Sequence, residues 1–199
     1  MNSNEAYVKL NENSYRIKFL TDDSNKSEST LVFLHDALGS IEQWKHFPKQ
    51  LSQAIKLNGV IVERQGHGKT SPFTKKRTKT YLHDEAYLVF PKLMEALGIQ
   101  RPILVGHSDG GSIALLYASK YKVEAVVSIA AHTYVEELTL KSIKKKVEES
   151  SDLKQKLIKY HNDKADTLFD AWAQTWLSDD FKDFNIVEEL RTIKAPLFI

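Results

Sequence analysis

The chain has 199 residues, of which 42% are hydrophobic and 27% charged, a balance typical of one domain with a sizeable core. Its 28 Lys and Arg nearly cancel its 26 Asp and Glu, so no strong overall field favours nucleic acid or an anionic membrane. Cysteine is absent, which excludes disulfides, thiolate metal sites and a thiol nucleophile. Because no apolar run reaches the length of a signal peptide core or a membrane span, we expect a cytoplasmic protein with no nucleic-acid or membrane partner.

The N-terminal part of the chain predicts a mostly parallel sheet with an antiparallel edge. Alternating segments at 6–10 and 15–20 flank the turn formers Asn11-Glu12-Asn13, which indicates a hairpin. Regular alternation of strand and helix then predicts parallel strands joined by right-handed crossovers. Four apolar runs typical of buried strands and three helical patterns carry this alternation, at 31–34, 41–57, 59–62, 81–97, 102–105, 111–119 and 123–130.

A helical stretch interrupts this alternation, because residues 135–190 hold several helical patterns and no strand. The aromatic residues Phe169, Trp172 and Trp176 within it are spaced for one helical face. We expect this stretch to be a helical cap inserted after the sixth strand. The predicted division is a core, a cap and the start of the remaining core, at 1–134, 135–190 and 191–199.

A serine stands between two glycines at the end of a predicted strand. Gly106-His107-Ser108-Asp109-Gly110 is a G-x-S-x-G pattern that links this strand to a helical pattern. On such a sharp turn the serine is held in a strained conformation, with its hydroxyl exposed at the carboxyl edge of the sheet. Ser108 is therefore the predicted nucleophile. The N–H of Asp109, at the start of the helix, is a predicted donor to an anionic tetrahedral intermediate.

A second oxyanion donor is expected in the loop His35-Asp36-Ala37-Leu38-Gly39-Ser40, which follows the strand at 31–34. Ala37 is the candidate by its position. We expect His35 and Asp36 to lie at the substrate pocket, with His35 bracing the loop.

Four segments together resemble the α/β-hydrolase superfamily over nearly the whole chain: 35–40, 65–68, 106–111 and 130–132. The Gly-His-Ser-Asp-Gly-Gly elbow is similar to that of small bacterial hydrolases and, distantly, of valacyclovir-hydrolase-like esterases. The resemblance implies an α/β-hydrolase fold and a serine hydrolase that acts on a small ester or amide through an acyl-enzyme. Asp36-Ala37 departs from the His-Gly pair that the superfamily often has, which leaves the second oxyanion donor open.

The resemblance also implies an acid and a histidine that complete a triad with Ser108, in the chain order Ser, acid, His. The acid would follow the strand that begins at Ala195, and the base would follow a later strand. We therefore expect a C-terminally truncated hydrolase that lacks the last strand and helices and is impaired in hydrolysis. His132, at the same sheet edge as Ser108, is the one stand-in base, and a pocket-lining or cap-anchoring role is its alternative.

The alternative function is a non-catalytic homologue that acts as a binding or interaction protein. An unpaired edge of a truncated sheet favours self-association, which suits this alternative.

The spacing of glycines and histidines excludes a phosphate-binding loop and a helical zinc site. Gly66-His67-Gly68-Lys69-Thr70 ends like a phosphate-binding loop, but Glu63 stands where that pattern requires glycine. No two histidines have the i, i+4 spacing of a helical zinc site, and we expect no metal and no cofactor.

The Asp109 carboxylate has two interpretations: it attracts a cationic group of the substrate, or it is a helix-start carboxylate that the dipole favours.

Overall fold

The computed structural model describes all 199 residues, which form seven strands and eight α-helices. The strands are β1 (Asn2–Leu10), β2 (Asn13–Thr21), β3 (Ser29–Leu34), β4 (Asn58–Val62), β5 (Arg101–His107), β6 (Ala125–Ile129) and β7 (Leu197–Phe198). The helices are α1 (Phe47–Ile55), α2 (Tyr81–Asp84), α3 (Phe90–Ala96), α4 (Asp109–Lys120), α5 (Glu137–Glu148), α6 (Ser150–His161), α7 (Ala165–Trp176) and α8 (Val187–Leu190).

One sheet contains all seven strands in the order β1-β2-β4-β3-β5-β6-β7. β2 runs antiparallel to both β1 and β4, and every other neighbouring pair is parallel. The β1–β2 hairpin turns between Leu10 and Asn13, as the turn formers indicated. The prediction of a mostly parallel sheet with an antiparallel N-terminal edge is therefore confirmed.

Both faces of the central strands are buried, which explains their continuous apolar sequences. Val32 and Leu34 of β3 belong to the larger core, a cluster of 32 buried side chains. Leu31 and Phe33 belong to a second cluster, which includes Ile41. Because side chains of a strand alternate between its two faces, the two clusters lie on opposite sides of the sheet.

Two helical patterns of the sequence are interrupted in the structure. The pattern at 41–57 divides into a short 3₁₀ turn and α1, because Lys45 between them has a positive φ of 52°. The pattern at 81–97 contains a π turn at Glu85–Val89 between α2 and α3. Pro91 follows it and has no N–H to donate to the carbonyl of Tyr87, which instead accepts a bond of 3.3 Å from the Tyr121 hydroxyl.

The segment between β6 and β7 contains α5 to α8, and its bounds as a separate cap stay a prediction. An isolated bridge between Tyr134 and Asn185 joins its two ends. Phe169, Trp172 and Trp176 are all buried, which agrees with a single apolar face of α7. None of the eight helices combines the length and the apolar character needed to cross a bilayer.

The connection from β5 to α4 leaves no room for side chains at its two glycines. A Cβ atom on Gly106 would overlap the carbonyl of Gly110, and a Cβ atom on Gly110 would overlap the carbonyl of Leu34. These overlaps involve backbone atoms, which cannot rotate away as a flexible side chain does. The helix therefore lies against β3 and β5 at a distance that only glycine permits.

Gly110→Ala is expected to lower the free energy of unfolding by more than about 3 kcal/mol, since the added methyl group forces α4 away from β3. Urea denaturation followed by circular dichroism measures this loss. Gly98→Ala is the control: its Cβ atom meets nothing within 4 Å, so only its φ of 66° matters, at about 1 kcal/mol. Equal losses in the two variants would contradict the close approach.

Candidate active site

Ser108 stands alone between β5 and α4 in a strained conformation. Its φ of 52° and ψ of −118° lie outside the regions that non-glycine residues favour, at a cost of about 1–3 kcal/mol. The strain is held from both sides: the Ser108 N–H donates to the Ile129 carbonyl at 2.8 Å, and its own carbonyl accepts from the Ser112 N–H at 3.0 Å. The Ser108 hydroxyl makes no hydrogen bond within the chain and faces a cavity.

This cavity has a volume of about 530 Å³ and lies between the carboxyl edge of the sheet and the helical segment. It brings together five of the six predicted site residues: Asp36, Ala37, Ser108, Asp109 and His132. The opposite wall comes from α5, α6 and α7, mainly through Leu138, Thr139, Ser142, Ile143, Lys146, Leu153, Trp172 and Trp176. The sixth predicted residue, His35, is buried behind the loop and does not reach this cavity.

The Asp36–Ala37 peptide is oriented by three donors to its carbonyl, one of which is the Gly39 N–H at 3.2 Å. The Asp36 carbonyl accepts from the Arg64 guanidinium at 2.7 Å and from Nδ1 of His35 at 2.8 Å. A trans peptide points its N–H opposite to its carbonyl, so the Ala37 N–H is turned away from Arg64. This N–H has no acceptor within the chain, and Ala37 lines the cavity that contains Ser108. It is therefore a donor without an acceptor in the cavity that Ser108 lines.

The next two carbonyls of the same loop each lie against a histidine ring. Nε2 of His67 lies 3.1 Å from the Ala37 carbonyl, and Nε2 of His161 lies 3.0 Å from the Leu38 carbonyl. The Leu38 N–H donates to the Asp36 carboxylate at 2.9 Å. The sequence placed His67 in a motif without predicting this contact, and it predicted no role for His161 at the site.

The Asp109 side chain points into the core rather than into bulk solvent. Its carboxylate is 1% exposed, accepts a hydrogen bond of 2.9 Å from the Tyr81 hydroxyl, and lies 3.6 Å from the Arg64 guanidinium. Tyr81 in turn accepts a bond of 3.0 Å from the Trp176 indole N–H. Burial, with the neighbouring Asp109, raises the pKa of Tyr81 well above its ordinary value, so this phenol remains a donor. Arg64 is the charge partner that sequence reasoning did not find.

His132 is fixed through its backbone and an aromatic contact. Its N–H donates to the Ser112 hydroxyl at 3.1 Å, and that hydroxyl donates to the His132 carbonyl at 2.7 Å. Its ring packs edge-on against Trp176, with 4.8 Å between ring centroids. Nδ1 is buried without a hydrogen-bond partner, so no carboxylate orients this ring as a triad acid would.

The turn that resembles a phosphate-binding loop uses its backbone N–H groups internally. Those of residues 66–70 donate, in order, to the Ser71 carbonyl, the Arg64 carbonyl, Nδ1 of His161, the Glu63 carboxylate and the His67 carbonyl. None is left to bind phosphate, which agrees with the mismatch at Glu63. No group of three or more His, Asp or Glu side chains is arranged to hold a metal ion.

Comparison with known proteins identifies the family. The family model described as the alpha/beta hydrolase fold matches residues 29–186. The chain belongs to the α/β-hydrolase family. The predicted family and fold are thereby confirmed.

Individual relatives of this α/β hydrolase are distant. A 2-hydroxy-6-oxononadienedioate/2-hydroxy-6-oxononatrienedioate hydrolase of Paraburkholderia phymatum is 26% identical over 117 residues, 58% of this chain. The alignment spans only 40% of that relative's length. Among solved structures, a membrane phospholipase A has a TM-score of 0.72 at 18% identity, covering 98% of this chain and 68% of that one. A carboxylesterase structure from Nitrososphaera gargenis has a TM-score of 0.70 at 22% identity, covering 96% and 78%.

Three buried histidines are expected to make the stability of this protein sensitive to pH. Burial lowers the pKa of His35, His67 and His161, and His35 and His161 each accept a backbone N–H that protonation would displace. The unfolded chain takes up these protons below about pH 6.5 while the folded chain resists them. The free energy of unfolding is therefore expected to fall as pH drops from 7.5 to 5.5, by about 1.4 kcal/mol in total for each histidine that stays neutral.

Urea denaturation across this pH window measures the slope. His161→Gln is expected to reduce the slope by one histidine, whereas His46→Gln, at an exposed position, leaves it unchanged. A stability that does not vary between pH 7.5 and 5.5 would contradict the neutral state of the buried rings.

Proposed function

We propose that this protein is a serine hydrolase that cleaves a small ester or amide through an acyl-enzyme on Ser108. One observation carries the proposal: a strained serine exposes its hydroxyl to a cavity beside the unpaired N–H of Ala37. The N–H of Asp109, in the first turn of α4, is the second donor. The two donors come from the two residues predicted from the sequence.

In the proposed reaction, Oγ of Ser108 attacks the substrate carbonyl carbon and its proton passes to solvent water, because no side chain accepts a hydrogen bond from this hydroxyl. The carbonyl oxygen becomes an oxyanion, which the Ala37 and Asp109 N–H groups stabilise in the transition state. As the intermediate collapses, the bond to the leaving group breaks and that group takes up a proton from water to depart as the alcohol or amine. Water then attacks the acyl-enzyme, which releases a carboxylic acid and restores the Ser108 hydroxyl.

The proposed hydrolysis is slow in these 199 residues, because no base is hydrogen-bonded to the Ser108 hydroxyl. His132 lines the same cavity, but no carboxylate orients its ring. Oxyanion binding and positioning without a complete triad retain about 10³–10⁴-fold acceleration over water.

A small substrate suits the cavity, whose volume of about 530 Å³ lies within the range of small-molecule sites. Leu138, Ile143, Leu153 and Trp172 supply an apolar wall for an acyl chain or alcohol group. The names of two relatives, phospholipase and carboxylesterase, support ester chemistry, whereas the compound named for the third, a 2-hydroxy-6-oxononadienedioate hydrolase, contains no ester; the names therefore select no substrate. A cytoplasmic location belongs to the same proposal.

A fluorophosphonate probe tests the nucleophile, because it reacts with an activated serine hydroxyl and leaves a stable adduct. We expect the adduct at Ser108, loss of labelling in Ser108→Ala, and unchanged labelling in Ser142→Ala. Ser142 is a matched control, since it lines the same cavity from α5 and its hydroxyl donates to the Leu138 carbonyl.

Intact-protein mass spectrometry with peptide mapping gives both the site and the rate. Labelling that survives Ser108→Ala would overturn the assignment of the nucleophile. Labelling of Ser108 as fast as in a hydrolase with a complete triad would overturn the proposed impairment alone.

A binding or interaction role is the second candidate, favoured by the absence of a base on the Ser108 hydroxyl. One edge strand of the sheet also exposes apolar side chains: Phe198 of β7 is 61% exposed. Exposed apolar edges promote association of chains, so this candidate includes self-association through β7.

Sedimentation velocity over a wide range of protein concentrations tests this association. We expect concentration-dependent dimers that Phe198→Lys abolishes, because a charged edge disfavours strand pairing. Tyr7→Lys is the control, since Tyr7 is exposed on β1 at the opposite edge of the sheet. A monomer at all concentrations would exclude the β7 interface.

A further inference from the structure

His161 connects the helical segment to two loops beside the active site. It is the last residue of α6 and is fully buried. Its Nδ1 lies 2.8 Å from the N–H of Gly68, in the turn after β4. Its Nε2 lies 3.0 Å from the carbonyl of Leu38, in the loop of residues 35–40, which we call the oxyanion loop. No other side chain of the helical segment hydrogen-bonds to the oxyanion loop.

The partners of His161 define which nitrogen carries the proton. The Gly68 N–H is a donor, so Nδ1 must be the acceptor, and the ring proton lies on Nε2, which donates to the Leu38 carbonyl. Burial lowers the pKa of His161, which agrees with this neutral form. The ring therefore satisfies one donor and one acceptor that would otherwise be buried without partners.

The Leu38 carbonyl is the third of three consecutive loop carbonyls that each contact a side chain. The Asp36 carbonyl is held by Arg64 and His35, and the Ala37 carbonyl lies against His67, all of them from the core. The Leu38 carbonyl is held only from the helical segment. Three consecutive carbonyls of the loop thus have a side chain against them, and the first of these contacts directs the Ala37 N–H to the opposite side of its peptide.

We propose that His161 is a positioning residue for the oxyanion hole. It fixes the Leu38 carbonyl from the helical segment, so the loop that carries the Ala37 donor has all its carbonyl contacts only while α6 is docked on the core. A displacement of the helical segment that opens the cavity also releases the Leu38 carbonyl and loosens the donor. This role rests on the proposed function, because it gives the Ala37 N–H an oxyanion to bind.

Two substitutions separate the two hydrogen bonds. His161→Gln places an amide donor near the position of Nε2, so it retains the bond to the Leu38 carbonyl and loses the bond from Gly68. His161→Asn places an amide oxygen near the position of Nδ1, so it retains the Gly68 bond and loses the Leu38 bond. The two variants are matched in polarity and both lose the ring.

Amide hydrogen exchange followed by NMR is the first measurement, since it needs no catalytic activity. The Leu38 and Gly39 N–H groups both donate to Asp36 within the loop and report its order. We expect about tenfold faster exchange of these two amides in His161→Asn and near-normal exchange in His161→Gln, with the opposite pattern at Gly68.

Fluorophosphonate labelling of Ser108 is the second measurement, because the phosphonyl oxygen of the adduct occupies the oxyanion site. We expect His161→Asn to slow labelling about tenfold, and His161→Gln to stay close to the unmodified chain. Equal slowing by both variants would reduce His161 to a general packing role and overturn the proposal. So would normal exchange of the Leu38 and Gly39 amides in His161→Asn.

The two proposals fail in different ways. If the unmodified chain is not labelled at Ser108, the serine hydrolase proposal fails, while the exchange pattern still decides whether His161 holds the loop. If labelling occurs and exchange is unaffected, only the role of His161 is overturned.

Discussion

The site is organised by one geometric constraint, the reversal of the chain from β5 into α4 at the single residue Ser108. The reversal requires a positive φ at that residue and close contact of α4 with β3 and β5, which Gly106 and Gly110 permit. It exposes the hydroxyl to the cavity and leaves the Asp109 N–H in the first turn of the helix. It also directs the Asp109 side chain into the core, where a carboxylate is costly unless it is paired.

Arg64 provides that pairing and links the two halves of the proposed oxyanion hole. One nitrogen of its guanidinium donates to the Asp36 carbonyl at 2.7 Å and lies 3.6 Å from the Asp109 carboxylate. The peptide that presents the Ala37 N–H and the residue that presents the second N–H are therefore held by the same group. Tyr81 and Trp176 extend this network into the helical segment, so the segment contacts the site through Trp176 as well as through His161.

The amino-acid sequence was sufficient to predict the sheet and the tight turn at Ser108, because both depend on local patterns. Apolar runs mark strands that are buried on both faces, and glycines two residues before and after Ser108 mark the tight turn. It was not sufficient to predict the partners of Asp109 or the role of His161. Those contacts join residues far apart in the chain, such as Leu38 and His161, and leave no local periodicity. The break at Lys45 was also missed, since a positive φ at lysine has no compositional signal.

The positions of the three tryptophans allow intrinsic fluorescence to report whether the cavity is occupied. Trp172 and Trp176 line the cavity, and the indole of Trp176 contacts both the His132 ring and the Tyr81 hydroxyl. A bound molecule that displaces solvent there changes the polarity around these two indoles and hence their fluorescence. Trp44 packs against Phe33 and Phe47, on the opposite side of the sheet from the larger core, and provides a constant background signal. Occupancy of the cavity is therefore readable from the unlabelled chain, even for a ligand that is bound and never cleaved.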